Sequence, residues 1–136
     1  MTEINYAVFY NCKNILGQIA LPSNITTIKD YAFYGCRQLQ SIVLAKETKQ
    51  ISSSAFFNTP NFKIYKEDNN KYFNIYKGIL YSNNMGTLYH CPNGYNAMCQ
   101  IHKETKKITN NAFNGCSKIE NIVLNNFFKI LSYKLL

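Results

Sequence analysis

The side chains able to do chemistry are few in this 136-residue chain, and they cluster in one stretch. His90 is followed directly by Cys91, and Cys99 lies three residues before His102. A cysteine nucleophile needs an imidazole within hydrogen-bond reach, a third group to orient that base, and a turn that exposes the sulfur. Neither pair sits in a motif with an orienting group or a glycine elbow. Carboxylates number only seven. Glu67-Asp68 is an adjacent pair in a polar run, Glu67-Asp68-Asn69-Asn70-Lys71, that lacks the alternating acids of a calcium loop. The phosphate-cradling patterns G-x-x-x-x-G-K-[ST] and G-x-G-x-x-G do not occur, nor does the zinc helix H-E-x-x-H. Five cysteines, Cys12, Cys36, Cys91, Cys99 and Cys116, contain no C-x-x-C pair, and their odd number leaves one thiol over in any disulfide scheme. The reading is a non-enzymatic chain with free thiols, no cofactor and no metal.

Charge points elsewhere. Lys and Arg total 15 against 7 Asp and Glu, a formal +8. Fourteen of those cations are lysine, and Arg37 is the one arginine. Arginine supplies bidentate recognition of phosphates and base edges, so this composition argues against a dedicated nucleic-acid reader. With 46% hydrophobic and 15% aromatic residues the composition is that of a folded domain.

What positions these residues is an internal repeat. Ala32-Phe33-Tyr34-Gly35-Cys36-Arg37-Gln38-Leu39-Gln40-Ser41-Ile42-Val43-Leu44 and Ala112-Phe113-Asn114-Gly115-Cys116-Ser117-Lys118-Ile119-Glu120-Asn121-Ile122-Val123-Leu124 share the frame A-F-x-G-C-x-x-[LI]-x-x-I-V-L. The turn after each strand repeats too: Lys46-Glu47-Thr48-Lys49 matches Lys103-Glu104-Thr105-Lys106. Counted at the isoleucine four residues before each Ala-Phe, Ile4 to Ile28 is 24, Ile28 to Ile51 is 23, and Ile108 to Leu131 is 23. The interval Ile51 to Ile108 is 57, read as one 23-residue unit plus an enlarged unit of 34. Ile42-Val43-Leu44 alternates as a strand does, two residues inward and one outward. The Ala-Phe segment predicts one short helical or 3₁₀ turn ending in a bend. Ala32, Phe33, Cys36, Leu39, Ile42 and Leu44 should point inward and stack coil on coil. Cys12, Cys36 and Cys116 then share one buried position, which Thr59 occupies in the third unit. Cys12 and Cys36 fall on adjacent coils, where a disulfide would require converging Cβ directions.

The frame I-x-x-x-A-F-x-x-C-x-x-L-x-x-I-x-L-P, seen at Ile28, Ala32, Phe33, Cys36, Leu39, Ile42 and Leu44 with the proline in Leu21-Pro22, resembles the BspA-type (Treponema pallidum-type) leucine-rich repeat. The stretch from Tyr72 to Pro92 resembles the hairpin such proteins insert between repeats. Strands are expected at Gly78–Ser82 and Thr87–Cys91, flanking Asn83-Asn84-Met85-Gly86, where Asn and Gly should supply the positive-φ positions. The resemblance implies a leucine-rich-repeat solenoid, strand-rich with short helical or 3₁₀ turns and units of about 23 residues. One such domain would span 1–136, with the enlarged unit over about 65–100. It also implies an adhesin-like, surface or secreted protein whose partner is a host or extracellular-matrix protein.

Two binding surfaces are expected. Outward strand positions Gln18, Ala20, Ser41, Val43, Asn121 and Val123 are small and uncharged, and would form a continuous sheet face for a protein partner. Lys46, Lys49, Lys103, Lys106 and Lys107 recur at one turn and would line a basic edge. The alternative function is thus electrostatic capture of a polyanion: glycan, nucleic acid or anionic membrane. Tyr65, Tyr72, Tyr76, Tyr81, Tyr89 and Tyr95 crowd the enlarged unit, as cover for a longer coil or as a contact patch.

No basic segment followed by an apolar run opens the chain, so no secretory signal is read in it, and no stretch is apolar enough to span a bilayer. The tail from Phe127 to Leu136 reads as solenoid core, because Phe128 and Leu131 fall on the places of Ile25 and Ile28. Both ends lie inside a repeat, which predicts exposed apolar ends and self-association. It also leaves open that the chain is a segment of a longer array without stand-alone function.

Overall fold

The computed structural model describes residues 1–59, 62–92, 95 and 98–124; the expected core positions Phe128 and Leu131 lie outside them. Short strands connected by turns make up the described residues, and no helix occurs among them. Each of the first three coils contributes two strands. β1 (Glu3–Ile4), β3 (Thr27–Ile28) and β5 (Gln50–Ile51) pair in parallel with Ile4, Ile28 and Ile51 in register. On another side, β2 (Gly17–Ala20), β4 (Leu39–Leu44) and β6 (Lys63–Lys66) pair in parallel with Ile19, Ile42 and Ile64 in register. Parallel stacking at a spacing of one repeat makes the chain a β-solenoid.

The six residues expected inside are inside: Ala32, Phe33, Cys36, Leu39, Ile42 and Leu44 are all essentially solvent-free. Phe9, Phe33, Phe56 and Phe62 form a continuous internal stack, with ring centroids 5.2, 5.4 and 4.3 Å apart. Alanine follows from the geometry of the bend. Ala32 and Ala55 are completely buried, and each gives its carbonyl to an amide of the preceding coil.

Of the short helical or 3₁₀ turn expected at the Ala-Phe segment, the structure has single i→i+3 turns and no helix. Each bend closes i→i+3 bonds, such as Tyr34 N–H to Tyr31 C=O at 3.1 Å and Cys36 N–H to Phe33 C=O at 3.3 Å. The amides between them are given to the next coil: Phe33 N–H donates to Ala55 C=O at 2.9 Å, and Gly35 N–H to Phe57 C=O at 3.1 Å. Phe9 and Asn11 repeat this pattern toward Ala32 and Tyr34. Amides committed to a neighbouring coil cannot join an i→i−4 series. Positive φ at Tyr31 (55°) and Gly35 (69°) breaks the segment at both ends.

The cysteine position has a second reason beyond packing. Cys36 donates its S–H to the Phe9 carbonyl (3.1 Å), Thr59 its hydroxyl to the Phe33 carbonyl (2.8 Å), and Cys116 its S–H to the Cys91 carbonyl (3.3 Å). All three reach back to the preceding coil, so this position requires a small donor. The Lys-Glu-Thr-Lys turn is anchored in the same way. Thr48 and Thr105, both fully buried, donate to the carbonyls of Ile25 and Met85, each at 2.8 Å.

After β6 the array is interrupted. β7 (Phe73–Tyr76), β8 (Ile79–Ser82) and β9 (Thr87–His90) form an antiparallel meander, and β11 (Lys107–Ile108) pairs in parallel with β9. β10 (Met98–Gln100) pairs in parallel with β12 (Asn121–Val123). Leu88 is the register partner of Ile108, so the interval after Ile51 divides as 37 and then 20 rather than 23 and 34 in either order. The expected β8–β9 hairpin is present, with β7 as a third strand. Its turn departs from expectation: Met85 takes the positive φ (64°), and Asn84 contributes through its side chain, whose Oδ1 accepts the Gly86 N–H at 2.9 Å. The β7–β8 turn carries positive φ at both Lys77 (51°) and Gly78 (78°), the pattern of a two-residue type I′ hairpin.

β8 divides the interior. Leu80 packs into the cluster of the first three coils with Phe62, Ile64 and Phe73, whereas Ile79 and Tyr81 pack into a second cluster with Leu88, Cys91, Cys99 and Ile101. Both faces of this strand are therefore core.

Candidate interaction surface

The outward strand positions expected to carry binding fall into two rows on the first sheet. Gln18, Ser41 and Lys63 are partners in one, and Ala20, Val43 and Tyr65 in the other. Ser41, expected to face outward, is buried, because its hydroxyl hydrogen-bonds Gln18 Oε1 at 3.1 Å beneath the longer side chains on either side. The first row is thus a polar seam with Gln18 and Lys63 exposed on either side of Ser41, and the second row presents exposed Ala20, half-buried Val43, and Tyr65 at 45% exposure.

Asn121 and Val123 lie on β12, whose partner is β10, not β6. The six predicted residues therefore sit on two separate sheets rather than one continuous face. The enlarged unit breaks the sheet, and a cleft of about 250 Å³ opens at β6 and the residues that follow it, lined by Lys63, Tyr65, Ile75, Gly78, Pro92 and Tyr95. Opposite Asn121, Met98 stands 63% exposed. Lys77 reaches from the β7–β8 turn to Gln100 Oε1 (3.2 Å) and lies 5.5 Å over the Tyr76 ring. None of these flanking residues was visible in the outward pattern of the repeat frame, because they belong to the part of the chain that departs from it.

The tyrosines of the enlarged unit divide between the two roles expected of them. Tyr81 is buried, and its hydroxyl accepts the His102 N–H at 3.2 Å; burial pushes its pKa up to about 12. Tyr65, Tyr72 and Tyr76 are exposed, and Tyr89 and Tyr95 are half-buried. A further aromatic row lies at the bends, where Tyr10, Tyr34 and Phe57 stack at 4.7 and 5.7 Å with Tyr6 and Tyr31 alongside. Its signal in the sequence was the aromatic residue after each Phe: Phe9-Tyr10, Phe33-Tyr34 and Phe56-Phe57.

The five turn lysines are exposed, on two separated coils. Lys46 and Lys49 precede β5, whereas Lys103, Lys106 and Lys107 precede or enter β11, which pairs with β9. Lys46 is also paired with Glu47 at 3.8 Å.

The two histidines pack against aromatic rings. His90 packs edge-on against Phe62 with Nε2 3.5 Å from the Phe62 carbonyl; burial pulls its pKa from 6.5 down to about 4. His102 meets Tyr76 and Tyr81 edge-on, and its Nδ1 accepts the Glu104 N–H at 3.2 Å. The cysteines are free. Among the described residues no cluster of His, Cys, Asp or Glu has the arrangement of a metal site, and no helix is long and apolar enough to cross a membrane.

Parallel strands stacked one repeat apart, a bend donor reaching back one coil and an inward Leu-x-x-Ile-x-Leu pattern define a leucine-rich-repeat solenoid. The chain belongs to the BspA type leucine rich repeat family, whose model matches residues 2–100 and 86–135 in six copies. Solved structures share the fold. A leucine-rich repeat protein from Eubacterium ventriosum superposes with a TM-score of 0.76 at 24% identity, over 82% of this chain and 30% of that one. A leucine-rich cell surface protein from Faecalibacterium prausnitzii gives 0.67 at 16% identity, over 86% of this chain and 40% of that one. The pneumococcal vaccine antigen PcpA gives 0.63 at 21% identity, over 82% and 40% respectively. The chain thus spans less than half the length of each. Comparison with curated proteins gives no match.

Proposed function

We propose that this chain is a non-enzymatic protein-binding module that docks a host or extracellular-matrix protein through its strand face, in the manner of an adhesin. The observation that carries this reading is the exposed row Ala20–Val43–Tyr65 running into the cleft at Tyr95, with Met98 and Val123 exposed on the separate β10–β12 sheet. Such a surface is broad, weakly polar and rigidly held by parallel pairing, which suits a partner that binds by shape and aromatic contact. Tyrosine adds large contact area at a small cost in side-chain entropy. The descriptions of two structural neighbours as a cell surface protein and a vaccine antigen support surface display or secretion for this module as well.

The test is binding of the purified chain to a panel of extracellular-matrix and host surface proteins, repeated with Val43→Asp, Tyr65→Asp and Val123→Asp. Loss of a saturable interaction in all three, with melting temperatures held close to the parent, supports the strand face as the site. Binding that survives all three substitutions overturns it.

A further inference from the structure

Three of the five cysteines meet in the second core cluster. Cys91 and Cys99 are fully buried, Cys116 is half-buried, and the three pack together in that cluster. They arrive there by different routes. Cys116 holds the donor position of its repeat; Cys99 is the register partner of Ile122 and so fills an inward isoleucine place; Cys91 gives its N–H to Ala112 as Phe9 does to Ala32 and Phe33 to Ala55, so it stands where those coils carry phenylalanine. A bulky ring is replaced by a thiol only here, and the space beside it is filled by two more.

We infer that Cys91 and Cys116 form a redox-responsive pair, closed to a disulfide by a small-molecule disulfide oxidant such as glutathione disulfide, and that closure ties the last described coil to the one before it. The two residues are already in contact through the Cys116 thiol and the Cys91 carbonyl at 3.3 Å. Cys116 Sγ also approaches the Pro92 carbonyl at 3.6 Å, so it stands against the backbone that carries the Cys91 thiol. Access is asymmetric. Cys116 lines an open cleft with Phe113, Ile119 and Ile122, whereas Cys91 has no solvent exposure. The neighbouring Cys91 thiol also holds the Cys116 pKa below its ordinary value, which favours the form that attacks.

The steps balance. Ionised Cys116 attacks one sulfur of glutathione disulfide, that S–S bond breaks, and the first glutathione leaves as a thiolate that takes a proton from water. The Cys91 sulfur then attacks the Cys116 sulfur, the mixed S–S bond breaks, and the second glutathione leaves as a thiolate that takes up the Cys91 proton. Two protein thiols are oxidised and one glutathione disulfide is reduced to two thiols.

Thr59 supplies the control variant, because it fills the Cys116-equivalent position with a hydroxyl that makes the same bond. The reduced chain is incubated in an oxidising glutathione buffer and its cysteine peptides are mapped by mass spectrometry. The expected result is a Cys91–Cys116 bridge in the parent, no bridge at all in Cys116→Thr, and a stable glutathione adduct on Cys116 in Cys91→Ala. Cys116→Thr should melt as a folded protein, which keeps the result interpretable. A lasting adduct on Cys116 of the parent, a bridge of any other pairing, or no oxidation of the native chain overturns the assignment.

Discussion

At the scale of single residues, the repeat frame conceals a hydrogen-bond requirement inside an apolar pattern. The position shared by Cys36, Thr59 and Cys116 looks like a small hydrophobe in sequence, yet each occupant donates to a carbonyl one coil back. The Phe9 carbonyl already accepts the Cys12 N–H, so losing the thiol removes a second bond rather than orphaning the acceptor. Cys36→Val should therefore lower stability by about 1 kcal/mol in chemical denaturation, while Cys36→Thr stays near the parent. The frame itself was legible because repeated burial imposes repeated residue types. Cys91 and Cys99 were not, because each stands in for a different residue of the frame, and only pairing with the next coil reveals which. Ser41 was misplaced for a related reason: alternation predicts direction, but its burial depends on Gln18 in the coil before. His90 adds a pH dependence. Its folded pKa of about 4 lies below its ordinary 6.5, so between those values the unfolded chain binds a proton that the folded chain does not. Its contribution is complete above pH 6.5 and is lost as pH falls toward 4. Melting temperature measured across that window should decline in the parent and decline less in His90→Phe.

At the scale of elements, the bends and hairpins are fixed by backbone conformations that only some residues accept. Gly78 holds φ of 78°, and an added Cβ would meet Tyr95 Cε2 at an ordinary 3.8 Å. Its substitution therefore costs backbone strain alone, and Gly78→Ala should destabilise by about 1–2 kcal/mol. At Gly35 the same φ penalty applies, and a Cβ would also collide with the Asn11 side chain of the preceding coil. Gly35→Ala should be the more damaging of the two, as read by urea midpoints under one set of conditions. The hairpin was legible from two apolar runs flanking Asn83-Asn84-Met85-Gly86, although Met85 rather than Asn or Gly carries the positive φ. Its place in the array was not, because the unit that contains it lacks an Ala-Phe-x-x-Cys signature; without that landmark, counting alone could not place Leu88 opposite Ile108.

At the scale of the whole molecule, the interior is two clusters joined through β8, with β9 also reaching both through Leu88 and Tyr89. Leu80→Ala should cost about 2–5 kcal/mol and should raise amide hydrogen exchange chiefly in β4 and β6. Ile79→Ala should raise it chiefly in β10 and β12, and identical exchange patterns in the two variants would refute the division. The charge of +8 is likewise divided, with the turn lysines on separated coils. Retention on heparin should therefore be weak and should vanish by roughly physiological salt, where screening acts over about 8 Å. Retention that persists well above that salt would favour polyanion capture over protein docking.

The double burial of β8 also bears on folding fidelity. In a strand with one wet face, slipping the pairing by one residue trades core for solvent. In β8 the same slip would offer Leu80 to the space shaped for Ile79 and Tyr81, and a tyrosine hydroxyl to the phenylalanine stack of the first coils. Neither side could absorb the exchange, so two cores proofread a single alignment, and the place where the repeat is broken is also where its threading is most strictly checked.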